Sequence, residues 1–129
     1  MFKENNTLVS QYDNALSRVP NDVFVFNELN RIKNGFYKTA IEVCRSYLDI
    51  DKIDEYKKNK SNLPAITFSG TFTGSHKKEN LNSYSRLIII DFDGLLKDQI
   101  EEKKTILFAD EYVLAVWASP SKRGIKALV

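Results

Sequence analysis

The order of elements along this 129-residue chain predicts an α/β or α+β fold. Helical patterns fill the first half, and the character of the chain changes at Leu63-Pro64, because proline moves its predecessor out of the helical region and β-rich sequence follows. Further on, two apolar strands flank a helix of crossover length, which favours a parallel pair of neighbouring strands. The length and the 43% hydrophobic content indicate one domain over residues 1–129.

Four elements are predicted before Leu63. A first strand is expected in TLVSQYDNA. A helix is expected in the second half of DVFVFNELNRIKNG, and it ends at Gly35 because glycine relieves strain at a left-handed C-terminal position. Apolar residues at helical spacing predict a second helix from Tyr37 to Leu48, and a charged third helix or turn is expected in DIDKIDEYKKNK.

Strand patterns dominate after Leu63. We expect a strand from Ala65 to Phe68 and then a long polar loop, SGTFTGSHKKENLNSYS. Leu87 to Phe92 is apolar except for Asp91, which predicts a strand covered on both faces. An amphipathic crossover helix is expected in LKDQIEEKKTILFAD, a further buried strand in YVLAVWASPS, and the beginning of another in GIKALV. Because that last strand is cut short, we expect the chain to be a fragment of a longer protein.

Charge, cysteine content and hydropathy narrow the class of protein. The net charge is +2, from 19 Lys plus Arg against 17 Asp plus Glu, which gives no general support for polyanion binding. The single cysteine, Cys44, excludes an internal disulfide and suits a reducing cytosol. The N-terminus does not have the pattern of a signal peptide, and no span of about 18 apolar residues is present. We therefore expect a cytoplasmic protein without membrane contact.

Two aspartates follow the apolar run of RLIIIDFDG. Asp91 still lies within the predicted strand, where aspartate is disfavoured, and Asp93 lies two residues later. Side chains at alternating strand positions point to the same side, so this pair is a candidate to hold one Mg²⁺ or Mn²⁺ ion in a catalytic nucleotidyl-transfer site. The structural alternative is an Asp-Gly turn whose aspartate caps the next helix.

Candidate phosphate ligands occur in the segment WASPSKRGIKALV. It offers hydroxyl groups, positive charges and a glycine that allows close approach of the backbone: Ser119, Ser121, Lys122, Arg123, Gly124 and Lys126. A solvated β-turn is the alternative. Because one helix and one strand separate this turn from the aspartates, we expect the two segments on adjacent strands of one sheet.

The stretch IIIDFDGLL also resembles the opening motif of haloacid-dehalogenase phosphatases. In such an enzyme Asp91 would be the nucleophile and Asp93 the general acid. Leu95 stands where that motif has threonine, and few residues follow to supply the remaining catalytic groups. A phosphatase is therefore kept as an alternative.

Together the two motifs resemble the first two motifs of the archaeo-eukaryotic primase superfamily. More specifically, the chain resembles the N-terminal domain of VirE-type proteins of Bacteroides-type bacteria from about Val9 to its last residue, on the segments KNKSNLPAITFSGTF, ENLNSYSRLIIIDFDGL and YVLAVWASPSKRGIKALV. The resemblance implies a primase-like sheet with N-terminal helices packed on one face. It also implies a nucleoside triphosphate or DNA as ligand, and a C-terminal helicase-like ATPase in a mobile-element or phage replication protein.

The second motif departs from the Ser-x-His usual in primases. Lys126 stands near the place of the histidine, and Lys122 replaces an expected glycine. Lysine is a good phosphate partner but a poor proton shuttle at neutral pH. We therefore expect weak or no catalysis from this chain alone, with a non-catalytic DNA-binding module of the same fold as the alternative.

Overall fold

The computed structural model describes residues 7–129, and they have the predicted α+β fold, with four helices and three antiparallel sheets in this part of the chain. Internal contacts separate two units. The first ends at Leu87, and the second runs from Ile88 to Val129. A single domain over residues 1–129 stays a prediction.

The first unit contains two small sheets. In one, β1 (Leu8–Tyr12) lies between β2 (Asn21–Phe24) and β3 (Ala65–Thr67); in the other, β4 (Gly70–Phe72) pairs with β5 (Leu81–Tyr84). The sheets are joined through Ser10, which is fully buried and accepts a hydrogen bond from the Phe72 N–H at 2.9 Å. This buried hydroxyl therefore fixes β1 against β4.

Three helices complete the first unit: α1 (Val25–Lys33), α2 (Lys38–Asp49) and α3 (Ile53–Ser61). The chain turns after α1 at Gly35, whose φ is +77°, as the sequence predicts. Helices α2 and α3 pack together and bury Cys44 and Tyr56. Burial raises the pKa of the Cys44 thiol.

A buried carboxylate connects α1 to the start of α2. Glu28 is 1% exposed and forms an ion pair with Arg31 Nη1 at 3.0 Å. The Tyr37 hydroxyl donates to Glu28 Oε2 at 2.6 Å. Burial and the hydrogen bond to this carboxylate raise the pKa of Tyr37 from its ordinary value of 10.0 to about 12.

The second unit consists of β6 (Ile89–Phe92), α4 (Lys97–Phe108), β7 (Ala115–Ala118) and β8 (Ile125–Leu128). The strand order is β6-β8-β7, and both pairs are antiparallel. The central strand β8 is the most buried, with Ile125 and Leu128 almost fully enclosed. Helix α4 packs against β7 and β8 and buries Ile100.

Two expectations about the second unit are wrong. The strands β6 and β7 are not parallel neighbours, because β8 folds back from β7 and occupies the position between them. Strand β6 is not covered on both faces but lies at the edge of its sheet, where Ile88 and Ile90 are 54% and 40% exposed.

Two strands lie where the sequence predicts a polar loop. Strands β4 and β5 form a hairpin within SGTFTGSHKKENLNSYS. All four residues of β5 are exposed, so no alternation of apolar and polar residues marks it in the sequence. The antiparallel pairing brings the two strands so close at Gly70 that a Cβ there would lie 2.0 Å from the carbonyl oxygen of Ser83.

Between residues 7 and 129, no helix has both the length and the apolar character required to span a bilayer. The cytoplasmic location stays a prediction.

Candidate functional site

One face of the β6–β8–β7 sheet carries Asp91, Lys126 and Trp117 in a row. Lys126 pairs directly with Asp91 across β6 and β8, and with Trp117 across β8 and β7. Directly opposite residues of antiparallel strands project from the same face. Lys126 Nζ lies 2.5 Å from Asp91 Oδ1, and these side chains are 34% and 47% exposed. The first predicted metal ligand is thus in contact with the last predicted phosphate ligand.

A second row on this face lies two residues further along each strand, closer to the turn that joins β7 to β8. Since strand side chains alternate, Asp93, Gly124 and Ser119 follow on the same face. A Cβ on Gly124 would lie 2.7 Å from Ser119 Oγ and 2.9 Å from Asp93 Oδ1. Because this buried glycine has no side chain, the carboxylate and the hydroxyl converge directly above its backbone, in the space that a Cβ would need.

Backbone hydrogen bonds hold the two predicted segments together. After Asp93 the chain turns at Gly94, with φ +70°, and the Leu95 N–H donates to the carbonyl oxygen of Arg123 at 2.9 Å. The Asp-Gly turn therefore lies against the turn that joins β7 to β8. The prediction that the two segments occupy adjacent strands of one sheet is confirmed, because β6 and β8 are neighbours.

The turn between β7 and β8 presents hydroxyl groups and positive charges. Ser119 Oγ and Ser121 Oγ lie 2.9 Å apart, and Ser121 Oγ accepts the Arg123 N–H at 3.2 Å. Lys122 has a left-handed φ of +60°, which disfavours any residue except glycine by about 1–2 kcal/mol. Lys122 and Arg123 are exposed, and neither pairs with an acidic group of residues 7–129. Both cations are therefore available to an anionic ligand.

The residues predicted for the site all lie in the second unit. Those that share one face of the sheet are Asp91, Asp93, Ser119, Gly124 and Lys126, and those that continue into the turn are Ser121, Lys122 and Arg123. That they bind a ligand stays a prediction.

Asp91 and Asp93 are oxygen donors of the kind that Mg²⁺ and Mn²⁺ prefer. Within residues 7–129 no group of three or more His, Cys, Asp or Glu side chains is arranged to hold a metal ion. Magnesium sites commonly use one or two carboxylates and complete the coordination shell with water and substrate phosphates. Since Lys126 also neutralises Asp91, this donor set fits a cation that arrives with a phosphate better than a bare cation.

Trp117 is a neighbour of the site that sequence reasoning assigned to the core. It is half-buried on the edge strand β7, directly beside Lys126. The sequence does not reveal this position, because Trp117 lies in an apolar strand pattern that is typical of the core. Only the register with β8 shows that Trp117 shares a face with the aspartates.

The match to a known family covers the C-terminal part of the chain. The family model described as BT4734-like, N-terminal domain, matches residues 58–129, from within α3 to the last residue, and includes every predicted site residue. No curated protein and no solved structure matches the chain.

This match corrects the resemblance proposed from the motifs. The assignment to VirE-type N-terminal domains and to the primase superfamily is wrong, because a different family matches. This correction removes the support for three expectations that followed from the resemblance: the helicase-like ATPase, the mobile-element context and the bacterial group. More than half of the chain is matched, and the chain belongs to the family described as BT4734-like, N-terminal domain.

Proposed function

We propose that the second unit binds the phosphates of a nucleoside triphosphate, or of a nucleic-acid end, together with Mg²⁺ or Mn²⁺. The observation that supports this most strongly is the shared face of β6 and β8. On it, Asp93 Oδ1 and Ser119 Oγ converge above Gly124, and Lys126 contacts Asp91. In metal-dependent phosphate sites, carboxylates hold the cation, and the cation shares the substrate phosphates with other protein groups.

Each side chain has a distinct role in this proposal. Asp91 and Asp93 give carboxylate oxygens to the cation, and phosphate oxygens and water complete its coordination. Lys126 exchanges its contact with Asp91 for one with a phosphate, because the divalent charge replaces it at the carboxylate. The bound cation supplies positive charge that offsets the phosphate charges.

The turn provides the second half of the phosphate site. The hydroxyls of Ser119 and Ser121 donate hydrogen bonds, and the exposed Lys122 and Arg123 add positive charge. Gly124 lets the Ser119 hydroxyl and the Asp93 carboxylate come close to its backbone and to each other. We expect binding rather than rapid turnover, because the described residues supply only these two carboxylates and Lys126 is a poor proton shuttle at neutral pH.

Trp117 is the single tryptophan of the chain and lies beside Lys126, so its fluorescence reports on the site. We expect ATP with Mn²⁺ to change this fluorescence saturably, and ATP with EDTA to leave it unchanged. The double variant Asp91→Asn/Asp93→Asn should lose roughly ten-fold or more in affinity, since both oxygen anions of the metal site are gone. The matched control Glu101→Gln/Glu102→Gln removes two exposed carboxylates of α4 and should bind like the original protein.

Two outcomes would replace the proposal. DNA binding that needs no metal and is unchanged in the Asn variant, without metal-dependent ATP binding, would indicate the non-catalytic DNA-binding module. Turnover of a generic phosphate ester with a covalent adduct on Asp91 would indicate the phosphatase.

A further inference from the structure

A polar pocket of about 310 Å³ lies within the first unit. Most of the residues that line it are polar, among them Thr7, Asp22, Thr71, Ser83, Ser85 and Arg86. These residues come from the β1–β2 strands, the β4–β5 hairpin and the segments next to them. A volume near the lower end of the range of about 300–1,000 Å³ suits a small ligand.

Arg86 has an unfavourable backbone conformation at this pocket. Its φ is +66°, in the left-handed region that long L-residues avoid. The backbone on either side is fixed, because the Ser85 hydroxyl donates to the Phe68 carbonyl at 2.5 Å and accepts the Leu87 N–H at 3.0 Å. Glycine would fit this position without strain, so the arginine is a candidate for a function of its side chain.

The two charged groups of the pocket have no partners in the described chain. Within residues 7–129, neither the guanidinium of Arg86 nor the carboxylate of Asp22 forms an ion pair or a side-chain hydrogen bond. They therefore do not neutralise each other, although they line the same pocket. An available cation and an available anion, with hydroxyls around them, match a ligand that carries both a negative group and hydrogen-bond donors.

We propose that this pocket binds a small phosphorylated sugar. The planar fork of Arg86 takes the phosphate, for which two parallel hydrogen bonds are favourable. Asp22 accepts hydrogen bonds from sugar hydroxyls, and the hydroxyls of Thr7, Thr71 and Ser83 serve as donors or acceptors. A zwitterionic amino acid also matches the two charges but leaves most of these hydroxyls without partners. The proposal needs no metal and does not depend on the function proposed for the second unit.

Ribose 5-phosphate, added to the 129-residue chain in EDTA and followed by amide NMR, tests the proposal. We expect saturable shifts at Thr71, Ser83, Ser85 and Arg86. Ribose alone and inorganic phosphate should bind roughly ten-fold or more weakly, since each satisfies only part of the pocket. The variant Asp91→Asn/Asp93→Asn should bind ribose 5-phosphate normally, which separates this pocket from the metal phosphate site.

The substitution Arg86→Gly distinguishes a ligand-binding role from a structural one. It removes the guanidinium and relieves the left-handed φ, so we expect a higher Tm together with a loss of affinity of roughly ten-fold or more. The control Asp51→Gly relieves a φ of +57° at a residue that does not line the pocket, and it should leave the affinity unchanged. Unchanged affinity in Arg86→Gly, tighter binding of glutamate at the same amides, or no saturable shift with ribose 5-phosphate would overturn the proposal.

Discussion

In the proposed function, the contact between Lys126 and Asp91 sets how the second unit responds to a metal ion. The ammonium nitrogen lies 2.5 Å from Asp91 Oδ1, so lysine and a divalent cation would compete for the same carboxylate. Exposed ion pairs of this kind contribute about 0.2–1 kcal/mol, which is a modest obstacle for a cation that brings a phosphate with it. The register of β6 and β8 sets this contact, and the sequence alone does not show that register.

Substitution of Lys126 by glutamine should therefore have two opposite effects. Binding of Mn²⁺ alone is expected to strengthen by about two- to five-fold, because the competing charge is removed. Binding of Mn²⁺ with ATP should weaken, because a phosphate partner is lost. Free Mn²⁺ measured by electron paramagnetic resonance, and calorimetry with ATP, give the two affinities.

Lys104→Gln provides the control for this experiment. Lys104 pairs with Glu101 on α4 at 3.4 Å, and its loss should change neither affinity. If both affinities fall together in Lys126→Gln, the lysine supports the sheet and does not compete with the metal.

The contribution of Tyr37 to the stability of the first unit is lost at alkaline pH. Its pKa rises from 10.0 to about 12 on folding, so the folded state holds the proton more tightly than the unfolded state. The contribution is complete below pH 10 and is lost as the pH rises through 12. At neutral pH, Tyr37→Phe should lower the free energy of unfolding by about 1.5–3 kcal/mol, because Glu28 loses a hydrogen bond.

Urea denaturation of the original protein and of Tyr37→Phe, at several values of pH, measures this effect. The difference between the two proteins should shrink between pH 10 and 12. Burial also raises the pKa of Tyr12 and of Tyr56, so these tyrosines also make the stability of each protein depend on alkaline pH. Only the difference in the free energy of unfolding between the two proteins isolates the effect of Tyr37. A constant difference across that range would contradict the assigned role.

Among the elements, β8 is the one that creates the candidate site. Its insertion between β6 and β7 brings Gly124 between Asp93 and Ser119, on strands that are far apart in sequence. The sequence predicts the strands, the helix α4 and the common side of Asp91 and Asp93, because each depends on local periodicity. It does not predict the strand order, because a crossover helix and a tight hairpin are each compatible with more than one arrangement.

Gly124→Ala tests whether stability and binding require a residue without a side chain between Asp93 and Ser119. A Cβ would lie less than 3.0 Å from Ser119 Oγ and from Asp93 Oδ1, so both side chains must move. We expect a loss of about 1–3 kcal/mol in the free energy of unfolding, as for other overpacked sites, and weaker binding of Mn²⁺ with ATP. Urea denaturation and calorimetry give the two quantities.

The matched control is Gly35→Ala in the first unit. Its φ of +77° makes alanine unfavourable, but the nearest atom would be 3.6 Å away, so strain and not a clash lowers the stability. This variant should keep its affinity for Mn²⁺ with ATP. A folded Gly124→Ala protein with unchanged affinity for Mn²⁺ with ATP would show that binding does not require glycine at this position.

The elements that the sequence does not reveal are mostly short strands. Strands β4 and β5 have three and four residues, and the exposed β5 lacks an apolar face. Longer elements such as α2 and α4 are predicted within a residue or two, because twelve residues are enough for helical periodicity to be recognised.

For the molecule as a whole, local arrangement matters more than net charge. A net charge of +2 gives no reason to expect an anionic ligand, yet Lys122, Arg123 and Lys126 are grouped beside two aspartates. The match to the BT4734-like family starts at residue 58 and includes this group, whereas Thr7 and Asp22 of the sugar phosphate pocket precede it. The two proposed sites are therefore separable by mutation and by their need for metal.

Paramagnetic broadening by Mn²⁺ in the presence of ATP tests the metal phosphate site most directly. As Mn²⁺ is added in small amounts, the amide signals of residues 91–94 and 119–126 should broaden first and together, and Asp91→Asn/Asp93→Asn should abolish the effect. Broadening of only one of these segments, or broadening centred on Glu101 and Glu102 of α4, would contradict a cation held between the aspartates and the turn.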